Sequence, residues 1–265
     1  MAHVDKHHPG SFCWMELGTT DQAAAKKFYG DLLGWKPNDI DMGPGGVYTI
    51  FQLDGRDCAA CYNLTPDAMS RGLKSHWTPY IAVEDADASA ARATQLGGEV
   101  KSAPFDVGPN GRMANIVDPT GAPFAIWQPK QTPGIGIKNS PGAFCWADLN
   151  TSDRPTARRF YESLFGWMFD PGKGKDDDGY LHIRNGEHYQ AGMLPEAYRN
   201  KHAPPHWILY FTSSNCDAST KKAKDLGAHV FVPSMKIENQ LTYSVLADPQ
   251  GALFALFEPN QQKPL

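Results

Sequence analysis

The chain has 265 residues, enough for two domains of ordinary size, and its 41% hydrophobic and 20% charged content is that of a globular protein. A net charge of -4 with Lys and Arg scattered along the chain excludes nucleic acid and an anionic membrane surface as the main partner. No apolar run approaches the roughly 18 residues a bilayer crossing needs, so no membrane partner is expected.

Residues 1–10 are polar and hold His3, His7 and His8; they read as a frayed terminus rather than a metal site. They lack the apolar core of a signal peptide. Five cysteines do not make a disulfide scaffold, so a reduced, cytoplasmic protein is expected.

Phe12–Leu17 alternates as a strand. By its two-residue period, Phe12, Trp14 and Glu16 share one face and Cys13, Met15 and Leu17 the other. In the following segment Ala25, Phe28, Tyr29 and Leu32 fall at i, i+3, i+4 and i+7, one face of a helix. Thr20 or Asp21 suits its start and Gly34 a left-handed exit. Tyr29 reads as core. Short strands are expected near Trp35, at 48–53 and at 58–63. Cys58 and Cys61 have the spacing of a redox or zinc pair, but a strand turns them to opposite faces, so they read as buried and inert.

The plan then repeats. Residues 77–83 form a strand, 86–96 a helix, and strands follow near Val100, at 112–117 and at 122–128. On the first of these strands His76, Thr78 and Tyr80 point one way and Trp77, Ile81 and Val83 the other. Arg112, near a strand start, is placed to meet an anionic ligand.

The whole half then recurs. Gly10–Asp21 (GSFCWMELGTTD) returns as Gly142–Asp153 (GAFCWADLNTSD), and Lys27–Trp35 (KFYGDLLGW) as Arg159–Trp167 (RFYESLFGW). His76–Trp77 answers His206–Trp207, and Asp118–Ala125 (DPTGAPFA) answers Asp248–Ala255 (DPQGALFA). Residues 9–129 and 141–260 are therefore tandem domains, with the Pro/Gly-rich 130–140 as linker. Four βαβββ units give an α+β fold in which each domain has a curved mixed sheet around a central cup.

The opening strand leading to Asp21 and Phe28-Tyr29, the Leu-Gly-Trp exit, and Asp-Pro-x-Gly before the last strand together resemble the vicinal-oxygen-chelate superfamily of glyoxalases, bleomycin resistance proteins and dioxygenases. The Phe-Cys-Trp opening and the His-Trp pairs are similar to its two-domain, actinobacterial-antigen type. That resemblance implies one divalent cation per cup, acting as Lewis acid on neighbouring substrate oxygens. Carried over residue by residue, its ligand positions fall on Trp14, Thr78 and Ala125, and on Trp146, Ile208 and Ala255. These side chains ligate a cation poorly or not at all, so no cofactor is expected; a divalent metal is the alternative.

The expected cup residues are Phe12, Trp14, Thr78, Tyr80 and Arg112 in the first half and Trp146 and Tyr210 in the second, with the pairs Glu16/His76 and Asp148/His206. Three readings of the pairs stand open: acid–base catalysis, a metal displaced by one strand step, or mutual structural satisfaction. Trp14 and Trp146 either stack on a ligand or plug the cup. The expected activity is binding of a small aromatic or amphipathic molecule; the alternative is a lyase, isomerase or dioxygenase acting on a small oxygenated metabolite. A pseudo-dimeric monomer or a homodimer is expected. A calcium reading of Asp176–Asp178 fails on spacing and favours a turn.

Overall fold

The computed structural model describes residues 2–171, 179–237 and 241–259; the Asp176–Asp178 run lies outside the described residues. The first domain runs β2 (Phe12–Thr19), α1 (Gln22–Leu33), β3 (Lys36–Asp41), β4 (Val47–Leu53), β5 (Arg56–Asn63), α2 (Pro66–Ser70), β6 (His76–Ala82), α3 (Ala86–Gln95), β7 (Glu99–Val107), β8 (Gly111–Val117) and β9 (Pro123–Pro129). β1 (Ala2–His3) precedes it. β10 (Ile137–Lys138) leads to the second domain: β11 (Phe144–Asn150), α4 (Arg154–Phe165), β12 (Met168–Pro171), β13 (Leu181–Asn185), β14 (His188–Met193), β15 (His206–Thr212), α5 (Cys216–Asp225), β16 (His229–Ile237), β17 (Leu241–Ala247) and β18 (Leu253–Pro259).

Each domain closes on its own eight-stranded mixed sheet, ordered β3-β4-β5-β2-β6-β9-β8-β7 and β12-β13-β14-β11-β15-β18-β17-β16. The two βαβββ units of a domain meet where their first strands, β2 and β6 or β11 and β15, pair antiparallel. No strand passes from one sheet to the other among the described residues.

Local chemistry sets the helix ends. The Asp21 carboxylate accepts from Ala24 N at 3.0 Å, and Gly34 exits at φ 78, a conformation an L side chain strains to reach. Asp153 and Gly166 repeat both devices for α4. Gln22, at the start of α1, donates to Val47 O and Cys61 O, each at 3.0 Å, and so ties the helix to β4 and β5.

The core is a seam shared by the two domains. α1 lies beside α5 and α3 beside α4. Phe12 packs on Phe144, Trp167 and Trp207, and Trp35 meets Phe211. Burying each such ring contributes roughly 1.5–3 kcal/mol, and each edge-to-face pair about 0.5–1.5 kcal/mol more. Polar bonds cross the seam in matched pairs. Trp35 Nε1 donates to Gly142 O and Trp167 Nε1 to Gly10 O, both at 2.8 Å. Tyr29 Oη donates to Asp248 and Tyr161 Oη to Asp118, both at 3.0 Å. The other oxygen of Asp118 accepts from Thr120 N and Ala122 N, and that of Asp248 from Gln250 N and Ala252 N. The Asp-Pro-x-Gly turns and the Phe-Tyr helices are thus two halves of one fitting. Tyr29 is core as expected, and it is also a cross-domain donor.

Two expectations change here. The terminus is not frayed: β1 pairs with β10, and His7 is buried with Nε2 2.9 Å from Ile135 O. Burial holds the His7 pKa down at about 4. Phe12 lies in the seam and not in the cup. The β2–β6 register shifts between Phe12, opposite Ile81, and Trp14, opposite Tyr80. The extra residue at Cys13 turns Phe12 to the face opposite Trp14.

Candidate functional site: two aromatic cups with a buried carboxylate

On the face of the first sheet opposite the seam, Ser102, Asn115, Ala125, Tyr80 and Trp14 stand in one row across β7, β8, β9, β6 and β2. Thr78 and Glu16 face each other in the next row. Both Glu16 oxygens are held by phenols: Tyr48 Oη donates to Oε1 and Tyr80 Oη to Oε2, each at 2.7 Å. Trp14 Nε1 donates to Tyr48 Oη at 3.2 Å. Tyr62 lies over Gly18, its Oη about where a Cβ there would press.

The second cup repeats the centre. Asp148 accepts from Tyr180 Oη at 2.5 Å, from Trp146 Nε1 at 3.1 Å and from Tyr210 Oη at 2.7 Å. Arg154, placed where α1 has Gln22, donates to Gly179 O beside Tyr180. Burial raises the carboxyl pKa of Glu16 and of Asp148, and the phenol bonds oppose that rise without cancelling it. Burial, and then the nearby carboxylate, push Tyr48, Tyr80 and Tyr210 well above the usual tyrosine value.

The walls differ. Where the first cup has Thr78, Ser102 and Asn115, the second has Ile208, Val232 and Val245, which pack with Tyr210, Phe257 and Ala255 as a separate apolar cluster. Gly18 faces His76 in the first cup and Asn150 faces His206 in the second.

Trp14, Glu16, Thr78 and Tyr80 thus gather at one centre, as do Trp146, Asp148 and Tyr210. The histidines stand one step along the same strands and bond elsewhere. His76 Nδ1 is 2.8 Å from Lys74 O, and His206 Nδ1 is 2.7 Å from Pro204 O. The carboxylates are therefore satisfied by tyrosines and not by the histidines. Among the described residues His206 Nε2 is buried without a partner, and burial lowers that ring's pKa. Arg112 lies outside the cup. Its neighbour Met113 lies inside with its sulfur 3.8 Å from Tyr80 Oη, so strand alternation turns Arg112 out to Asp87 on α3, at 2.7 and 2.9 Å.

Tyr48 and Tyr180 complete the two centres although no pattern within their own segments marks them. Their one signal in the sequence is that they recur at the offset relating Trp14 to Trp146. Cys58 and Cys61 are free and buried, as expected; burial lifts Cys61 to about 12. An open groove of about 370 Å³ on the α3–α4 side, lined by Val83, Asp85, Arg92 and Phe165 among others, lies away from both cups.

The residues at the family's ligand positions do not fit a divalent cation. Trp14 and Trp146 offer only an N–H, Ala125 and Ala255 lie at the floor with no donor atom, and Ile208 is apolar. Among the described residues no three His, Cys, Asp or Glu side chains converge as a metal-binding group.

Residues 11–126 match the model of the Glyoxalase/Bleomycin resistance protein/Dioxygenase superfamily, and residues 146–257 that of a glyoxalase-like domain. The chain is 35% identical over 264 residues to the Mycobacterium tuberculosis protein named "Putative glyoxylase CFP32", covering 99% of this chain and all of that one. It is 34% identical over 268 residues to "Anthracycline biosynthesis protein DauV" of Streptomyces sp. (strain C5), covering 97% and 96%. Among solved structures, the Mn(II)-bound glyoxalase of Novosphingobium aromaticivorans matches with TM-score 0.66 at 16% identity, over 94% of this chain and 82% of that one. The 2,3-dioxygenase LapB of Pseudomonas sp. KL28 matches with TM-score 0.63 at 14% identity, over 97% of each; both show the fold alone. With two tandem glyoxalase-like domains and relatives matched end to end, the chain belongs to the glyoxalase/bleomycin resistance protein/dioxygenase superfamily.

Proposed function

We propose that this chain binds a small planar aromatic or amphipathic oxygenated molecule, with the first-domain cup as its principal site. The observation that carries this is the centre itself. Trp14, Tyr48, Tyr62 and Tyr80 surround one carboxylate, and Thr78, Ser102 and Asn115 add polar groups along one wall. Few polar groups converging in an aromatic concavity orient a flat ligand. A relative named for anthracycline biosynthesis agrees with a polycyclic, oxygenated aromatic ligand. Because the side chains at the chelate positions do not suit a cation, recognition rests on the chain's own hydrogen-bonding groups and rings. The duplicated domains serve as a pseudo-dimer within one chain.

The test is a fluorescence titration with 1,4-dihydroxyanthraquinone. The expected result is saturable quenching that Trp14→Phe largely removes; quenching that does not saturate, or that ignores this substitution, sinks the proposal.

A second reading has its own support. A carboxyl with a raised pKa, 2.7 Å from two phenols, is also a proton-transfer unit. Under that reading the molecule is recovered chemically changed, and Glu16→Gln stops the change. Recovery of unaltered ligand selects binding, and intact turnover in Glu16→Gln rejects acid–base chemistry at this carboxyl.

A further inference from the structure

The centre of the first cup is a carboxyl group, Glu16, held by two phenols. Among the described residues, none of the ion pairs involves Glu16. The two phenols donate to it, a geometry that suits the carboxylate form. Burying an ion is costly unless another charge meets it. His76, on the strand paired with that of Glu16, has its Nδ1 tied to Lys74 O. What surrounds the carboxylate instead is rings: Trp14 bonded to Tyr48, Tyr80 on the adjacent strand, and Tyr62 over Gly18. Phenol oxygens with free lone pairs and aromatic rings gathered about one carboxylate favour a cation, because its charge offsets the carboxylate's and aromatic surface attracts it.

We infer that the first cup selects organic ammonium ions, that is, a protonated amine carried on an aromatic or apolar body. This rests on the proposal that the cup binds small molecules, and it adds the charge of the ligand. The amine N–H groups replace the missing counter-charge at Glu16, and the body lies against Trp14, Met113 and the wall carrying Thr78 and Asn115. The second cup shares the carboxylate, but Asp148 accepts from three donors there and its wall is aliphatic, so the inference is confined to the first.

The experiment uses the whole chain and three probes of one shape: 2-phenylethylamine, 2-phenylethanol and phenylacetate. Binding is followed by the indole N–H resonances, with Trp14→Phe identifying the Trp14 signal. The expected result is a Kd for the amine about tenfold below that of the alcohol, a difference in the range a desolvated cation–ring contact supplies, with phenylacetate weakest. In Glu16→Gln the amine falls to the alcohol's affinity. If the alcohol binds at Trp14 as tightly as the amine, the charge inference is overturned while the cup remains a binding site. If none of the three shifts the Trp14 signal, the binding proposal itself falls. The comparison among probes is made on the unsubstituted protein, so it holds even if Glu16→Gln folds poorly.

Discussion

Thr78, Ser102 and Asn115 line the first cup where Ile208, Val232 and Val245 line the second, although both cups keep a tryptophan, a carboxylate and two tyrosines at the centre. Glu16 is half-buried, whereas Asp148 is 4% exposed. On the other face of the same sheets the polar fittings and several rings are kept, although Phe211 stands where the first half has Ile81. Phe12 answers Phe144, Trp35 answers Trp167, and each Tyr–Asp bond has its twin at the same 3.0 Å. After one duplication, the hydrogen bonds that hold the halves together stayed paired and the walls of the two cups diverged. Under the proposed binding function, the contrast assigns specificity to the walls, while the hydrogen-bonded centre is common property of both cups.

The largest expected effect tests the symmetric side. Phe12→Ala and Phe144→Ala each remove a fully buried ring and cost about 3–5 kcal/mol in denaturant unfolding. Ligand affinity of the folded protein is unchanged in both, and the cost is larger for Phe12, which meets three rings where Phe144 meets one; a smaller cost at Phe12 would show that these ring contacts do not set it.

Next comes pH. Glu16 and Asp148 have folded-state pKa values above their ordinary ones. The native state therefore binds more protons than the unfolded state, and stability falls as pH rises from the usual carboxylate range to the raised value. The slope approaches about 1.4 kcal/mol per pH unit per group. Unfolding midpoints of the protein, of Glu16→Gln and of Asp148→Asn, taken from about pH 4 to 8, isolate each share. Both substitutions are expected to flatten the decline, Asp148→Asn more strongly because that carboxyl is the less exposed. A steeper decline in either variant reverses the sign and refutes the assignment.

The smallest effect concerns the walls. Thr78→Ile gives the first cup the second cup's residue and is expected to weaken binding of a hydroxylated aromatic by about tenfold, roughly one hydrogen bond. Ile208→Thr in the second cup should leave that affinity unchanged. Isothermal titration of the pair reads the difference, and equal effects would mean that the walls do not set preference.

Much of this was legible in residues alone, for identifiable reasons. The repeat exposed the domains, and Asp21 and Gly34 marked a helix whose caps are those seen. Strand alternation placed Trp14, Glu16, Thr78 and Tyr80 together, because the pleat is regular along that stretch. It failed at Phe12, where one extra residue at Cys13 inverts the face, and it was not applied to Arg112, whose charge alone suggested a ligand and whose side chain turns out to Asp87. Tyr48 and Tyr180 escaped because they come from strands or segments distant in sequence from the carboxylates they bind, and only pairing across the sheet reveals them. The burial of His7 was hidden for a similar reason, since its partner is the linker backbone 128 positions away.

The crossed Tyr29–Asp248 and Tyr161–Asp118 bonds carry a last consequence. Each half completes a turn of the other half with a phenol from its own helix, so separating the halves leaves Asp118 and Asp248 each without that donor. Such a fusion works as a ratchet: once joined, the halves answer to a shared constraint on one side, and on the other each is free to acquire a separate chemical trade.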